Sequence, residues 1–187
     1  MLFLWGWIFF TKARQAEQNS EPVLALGFYY QGFRAIEKYL DEPIRLDFEG
    51  KEILLTNEII ASMQLLLDKM DLSLYPREMV LNRRLAQSEL SVIARVMEKG
   101  SQKAISGLPL MASFEKGSGD VFPNYKTDEA GHTKILLTKI SSRDIEQTVA
   151  VQVDVMSFAG QGGSEIYPLI AKKMIVPKAT LLMRVQR

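Results

Sequence analysis

His132 is the only histidine of the chain, and it follows Gly131 in the stretch TDEAGH behind Asp128 and Glu129. These residue types come nearest to acid–base or metal chemistry. An imidazole works as a general base or a ligand when other polar groups converge with it, and no carboxylate cluster is spaced to do so here. A calcium loop needs oxygen ligands at set positions along about twelve residues, and TDEAG lacks that spacing. A β-turn fits better, with Asp128 accepting local backbone N–H bonds and Gly131 at positive φ. Gly117, Ser118 and Gly119 have the look of a phosphate-gripping loop, but acidic Asp120 follows and no Lys-Ser or Lys-Thr pair opens a helix behind them. Ser106 has no nucleophile elbow and no activating partner but the one histidine. The chain reads as non-enzymatic, with no cofactor and no metal.

Contact through loops is the remaining route to function. Three glycine-bearing segments stand out: Lys116 to Asn124, Thr127 to His132, and Ala159 to Ser164. Loops at the ends of a rigid sandwich are displayed and commonly make contacts, so Lys116, Ser118, Asp120, Asn124, Asp128 and His132 are the candidate contact residues. A second candidate surface is the N-terminal run MLFLWGWIFF, with Trp5 and Trp7. It is shorter than the roughly 20 residues that cross a bilayer. Three readings stay open for it: a truncated signal or anchor, an interfacial aromatic stretch touching a membrane surface, or a segment packed on the protein's own core.

Composition narrows the partners. Lys plus Arg total 23 against 22 Asp plus Glu, a net charge of +1, and without a long run of either sign nothing favours a nucleic-acid backbone. The absence of cysteine rules out disulfides, thiolate metal sites and a cysteine nucleophile.

The elements that must position these residues fall into two styles. Between Thr11 and Leu40 the pattern is helical, with Leu26, Tyr29, Phe33, Ile36 and Leu40 at intervals of three or four. A break near Asn19 and a restart at Pro22 are expected. IRLDFEGKEILLT reads as a hairpin turning at Glu49 and Gly50, with Ile44, Leu46 and Phe48 on one face. A helix capped by Thr56 or Asn57 then carries Ile59, Ile60, Met63, Leu66, Leu67 and Met70 as its apolar stripe. Beyond Pro76 the period changes to two, in Leu90, Val92, Ala94, Val96, again in Leu108, Leu110, Ala112, Phe114, and again in Val149, Val151, Val153, Val155. A further strand is expected from Thr133 to Ile140, a short helix from Ile166 to Lys173, and a last strand from Ala179 to Val185 that either closes the sandwich or returns to the first hairpin.

The expected class is α+β: a helix, hairpin and helix region over 1–76, an all-β immunoglobulin-like sandwich over 77–158, and a linker, short helix and terminal strand over 159–187.

The segments SGLPLMASFEKGSGDV, YKTDEAGHTKILLTKI with Thr127, Asp128 and Gly131, and QTVAVQVDV resemble the bacterial Ig-like repeats of intimin and invasin type surface proteins. In the first half, Tyr29, Tyr30, Gly32 and Phe33 of YYQGFRAIEKYL resemble the small envelope lipoproteins of the curli-secretion lipoprotein superfamily. Together these resemblances imply a bacterial envelope protein, periplasmic or outer-membrane associated. Its partners would be other envelope proteins or its own copies, and it would act as a structural or assembly component. The alternative is a displayed module that binds a glycan or a peptide.

Overall fold

The computed structural model describes residues 2–37, 44–82, 88–143, 145–159 and 174–186. The chain divides into two compact units, one comprising the described residues of Met1–Lys69 and Val155–Val176, the other those of Met70–Asp154 and Pro177–Arg187.

The first unit holds three helices and a hairpin: α1 (Leu2–Gln18), α2 (Pro22–Ile36), β1 (Arg45–Phe48), β2 (Lys51–Leu54) and α3 (Leu55–Asp68), joined by a 3-10 turn at Val155–Ala159. The break expected near Asn19 separates α1 from α2, and Pro22 stands in the first turn of α2, where its missing N–H costs nothing. The N-terminal apolar run is helical and packs along α2. Gly6 and Gly32 sit at this crossing. A Cβ on Gly6 would lie 2.3 Å from Cγ2 of Ile36, and one on Gly32 would lie 3.3 Å from the Gly6 carbonyl and from Cδ1 of Ile59. Bare backbone at both positions lets the helices touch. Below the crossing Phe10, Ala13 and Ala16 of α1 are buried with Ala25, Leu26, Tyr29, Tyr30, Phe33 and Ile36 of α2.

The hairpin turns where expected, with Glu49 at φ 53 and Gly50 at φ 76, the paired positive angles of a two-residue turn whose twist suits its strands. It lays Phe48 edge-on against Trp7 and Phe10, with ring centroids 5.5 and 5.4 Å apart. Helix α3 differs from expectation at both ends. It begins at Leu55 with Leu54 at the cap position and no side-chain cap bond, because the preceding strand delivers the Leu55 N–H to the Ile44 carbonyl. Met70 leaves the helical stripe and opens a strand, its side chain buried all the same.

A polar tie crosses the helices. The buried Tyr29 hydroxyl donates to Glu17 of α1, and Arg14 approaches the same carboxylate at 3.7 Å. Burial first, then the bond to Glu17, raises the Tyr29 pKa.

The second unit is β-rich. Its strands are β3 (Met70–Tyr75), β4 (Glu78–Leu81), β5 (Leu90–Glu98), β6 (Pro109–Lys116), β7 (Asp120–Val121), β8 (Asn124–Lys126), β9 (His132–Thr138), β10 (Glu146–Val153) and β11 (Lys178–Val185). They form a five-stranded sheet in the order β4-β11-β10-β6-β8 and a four-stranded sheet in the order β3-β5-β9-β7. Alternation decides the faces: Leu72 and Leu74, Val92, Ala94 and Val96, and Ile135 and Leu137 are the buried set of the smaller sheet. Leu110 and Ala112, Val149, Val151 and Val153, and Leu181, Met183 and Val185 are that of the larger. Of the two fates left open for the last strand, the return to the hairpin is not taken: β11 joins the β-rich unit and lies inside the larger sheet, antiparallel to β10 and parallel to β4. Val155 ends the Val149 series by entering the 3-10 turn rather than the strand. Gly160 to Ser164 and the helix expected at Ile166 to Lys173 lie outside the described residues.

Replacing Phe33, which is 1% exposed, with alanine is expected to cost roughly 3–5 kcal/mol; a denaturant titration giving less than about 1 kcal/mol would remove the ring from the core. The raised Tyr29 pKa sets a second expectation. The folded state holds its proton more tightly than the unfolded chain, whose tyrosine titrates near pH 10. The stabilisation is therefore complete below that pH and is lost as pH rises above it. Urea midpoints measured from pH 8 to 11 should fall more steeply for the native chain than for Tyr29→Phe, and parallel slopes would overturn the assignment.

Candidate functional site

The six loop residues do not meet in one place. Strand β9 runs from His132 to Thr138, and its ends are roughly 20 Å apart at ~3.3 Å per residue. Lys116, Ser118 and Asp120 gather at the Thr138 end, since Asp120 pairs with Thr138. Asp128 and His132 lie at the other. Asn124, exposed, opens β8 opposite Met111.

At the Thr138 end the polar groups are spent on one another. Lys116 pairs with Glu146 at 2.9 Å and Lys139 with Asp120 at 2.8 Å. The hydrogen bond from Lys116 holds Glu146 below the usual carboxylate range, and the bond to Asp120 raises Lys139. Both pairs are open to solvent, where such bridges contribute little. Between them Gln147, fully buried, accepts from the Ser118 N–H at 3.2 Å and donates to the Ser141 carbonyl at 2.6 Å. The Ser141 N–H returns to the Ser118 carbonyl at 2.8 Å. Gly117 gives this amide its room: at φ 83 its Cβ would lie 2.4 Å from Cγ of Gln147. One signal for Gln147 was present in the sequence. It keeps phase with Val149, Val151 and Val153, and an amide on a buried face needs partners.

The TDEAGH segment is equally committed. Thr127 is buried, donates to the Ile105 carbonyl at 2.7 Å and accepts from the Leu108 N–H at 2.9 Å. Asp128 accepts from the N–H groups of Ala130 and His132 at 2.9 and 2.8 Å, the local capping expected of it. Gly131 takes φ 74, and a Cβ there would stand 2.4 Å from the Val96 carbonyl oxygen. This segment locks the β8 to β9 connection onto β5.

Two surfaces keep side chains outward. The first is on the helical unit. The tryptophans part company: Trp7 stacks on Phe10 at 5.7 Å and meets Phe48, whereas Trp5 is 53% exposed beside Leu4 at 49%. Trp5 leads into a stripe, with Phe9 6.2 Å away and Phe28 of α2 6.4 Å beyond that. The Lys12 ammonium lies 5.9 and 5.8 Å from the latter two ring centres. Trp5, Phe9 and Lys12 recur at four and then three residues, the helical spacing that would have grouped them.

The second is the outer face of the four-stranded sheet, which sequence reasoning missed. Register places Ser73, Arg95 and His132 directly opposite one another, and Tyr75, Ile93 and Lys134 in the next row. Among the described residues, no side-chain partner is present for Ser73, Arg95, His132 or Lys134, and the Arg95 Nε is buried without an acceptor.

Among the described residues no three His, Asp or Glu gather as metal ligands, and no helix is long and apolar enough to cross a membrane.

No family model and no curated protein matches the chain. Among solved structures it is similar to a Caenorhabditis elegans member of the MSP family, at 11% identity over 62% of this chain and 97% of that one, TM-score 0.38. It is also similar to the D00-D0 domain of intimin, at 14% identity over 46% of this chain and 40% of that one, TM-score 0.36. A C-terminal intimin fragment, solved in complex with the intimin-binding domain of the translocated intimin receptor, is 18% identical over 60% of this chain and 32% of its own length, TM-score 0.36. These are distant likenesses to Ig-like β-sandwich domains.

Because the Gly131 backbone is left-handed and its α-carbon faces a carbonyl, Gly131→Ala is expected to cost at least about 2 kcal/mol, strain and overpacking together. An unchanged melting curve would show that the turn gives way freely.

Proposed function

We propose that this chain is a non-enzymatic structural or assembly component of the bacterial cell envelope, periplasmic or associated with the outer membrane. In this reading an immunoglobulin-like sandwich is carried by a helical unit that touches a membrane surface. The observation that carries the proposal is the aromatic stripe of α1 and α2. Trp5 is exposed and Phe9 and Phe28 are only half-buried, although Phe10 and the residues below it are packed away. Indole and phenyl rings next to an ammonium suit the headgroup boundary, where one end of the contact is apolar and the other wet. From Leu2 to Ala16 the only charged side chains are Lys12 and Arg14, so this stretch of α1 itself sets no carboxylate against an anionic surface. The sequence resemblance of SGLPLMASFEKGSGDV and the segments after it to repeats of bacterial surface proteins supports the envelope location.

A second reading, a displayed binding module, draws on the row of Ser73, Arg95 and His132 on the outer face of the four-stranded sheet, since Gln147 and Asp128 hold the loop backbones at the two ends of β9 in place.

Trp7→Phe leaves Trp5 as the single indole. With vesicles of phosphatidylethanolamine and phosphatidylglycerol its emission should shift to the blue, and Trp5→Ser combined with Phe9→Ser should lower vesicle partition by about tenfold. Light scattering on the same samples reads association of copies. No shift and no partition overturns the membrane contact, and an oligomer that survives the double substitution would move assembly to the strand edges.

A further inference from the structure

We propose that Met156 is a site of oxidation by hydrogen peroxide, at which the sulfoxide oxygen becomes the acceptor of the Tyr30 hydroxyl and fastens the Val155–Ala159 turn more firmly to α2. The inference is independent of the membrane contact and of the sheet face.

The site is built around a buried donor with a poor acceptor. Tyr30 is 0% exposed, and among the described residues its hydroxyl donates to one atom, the Met156 sulfur at 3.8 Å. A thioether accepts weakly, so this hydroxyl has left water for little in return. The turn that carries Met156 is held against α2 by other means. The Gln31 amide donates to the Phe158 carbonyl at 2.8 Å, and Gly27 leaves room for the Phe158 ring, 3.4 Å from where a Cβ would stand. Sulfur and hydroxyl therefore face each other across a gap wider than the ~2.7 Å of an O–H···O bond. An oxygen bonded to the sulfur and set obliquely to that line comes within the shorter distance with helix and turn where they stand.

Burial and bonding single out Met156 among the thioethers. Of the eight methionines among the described residues five are buried, and Met79, Met111 and Met156 are half-buried, within reach of a small oxidant. Met111 also accepts a hydrogen bond, from the Gln152 amide at 3.3 Å. Gln152 is itself half-buried, so its amide has water as an alternative and gains little from a sulfoxide. The Tyr30 hydroxyl has no such alternative. The three rotatable bonds of methionine let an oxygen added from the solvent side swing to that donor.

In the reaction a sulfur lone pair attacks one oxygen of the peroxide. The O–O bond breaks as the S–O bond forms, and the sulfur gives up two electrons. The departing oxygen takes the proton of the attacked one and leaves as water.

The test treats the whole chain carrying Met79→Leu and Met111→Leu with dilute hydrogen peroxide at neutral pH. Peptide mass spectrometry locates the added oxygen, and circular dichroism follows melting with and without Tyr30→Phe. Met156 is expected to gain one oxygen while the five buried methionines stay reduced. The Tyr30 hydroxyl is expected to raise the melting temperature of the oxidised chain by about 2–4 °C and that of the reduced chain not at all. Tyr30→Phe removes a single oxygen from a buried ring, so the comparison is made between folded chains. The proposal is overturned if Met156 stays reduced, or if the hydroxyl supports the oxidised chain no better than the reduced one.

Discussion

Backbone contact between α1 and α2 at Gly6 and Gly32 is the constraint on which the helical unit depends. A helix can turn about its own axis to expose any face, and the two glycines remove that freedom, because only one rotation of α1 brings bare backbone against bare backbone. Once it is set, Phe10, Ala13 and Ala16 follow inward at helical spacing and Trp5 is carried outward. Trp7 falls between these directions and is taken up by Phe48 of the hairpin. The aromatic surface is thus a by-product of close packing elsewhere on the same helix.

In the β-rich unit the corresponding devices are polar. Gln147 fastens the Gly117 to Ser118 loop to the segment at Ser141, and Thr127 fastens the β8 to β9 connection to Ile105 and Leu108. Each group is buried and bonded at both ends, so removing either side chain would strand donors and acceptors in a site closed to water. Loops secured in this way display little that is free to bind, which moves attention from loop tips to the open face of the smaller sheet.

Much of the fold was legible in the sequence because the determinants were local. The Glu49 and Gly50 turn, the break before Pro22, and the alternation in Leu90 to Val96 and Val149 to Val153 each depend on a few adjacent residues. Boundaries set by tertiary contact were not. Leu55 starts α3 because its N–H is claimed by Ile44, and Met70 keeps the burial of a helical stripe while joining a strand. The surface row of Ser73, Arg95 and His132 was hidden for the same reason. Its members are scattered along the chain and become neighbours only through the register of three strands, whereas a glycine-bearing loop announces itself in a handful of letters. The two tryptophans, adjacent but for one residue, were indistinguishable until the rotation of α1 was known.

The place of β11 between β4 and β10 has a bearing on how the protein comes into being. On the ribosome, β4 and β10 are made while the strand that joins them is still unsynthesised, and the chain first leaves for the helical unit before it returns. Until β11 arrives, two ribbons present unsatisfied edges of the kind that recruit other nascent chains. Completion of the larger sheet therefore waits for β11, and a chaperone that holds those edges apart would find its work concentrated in the interval before it.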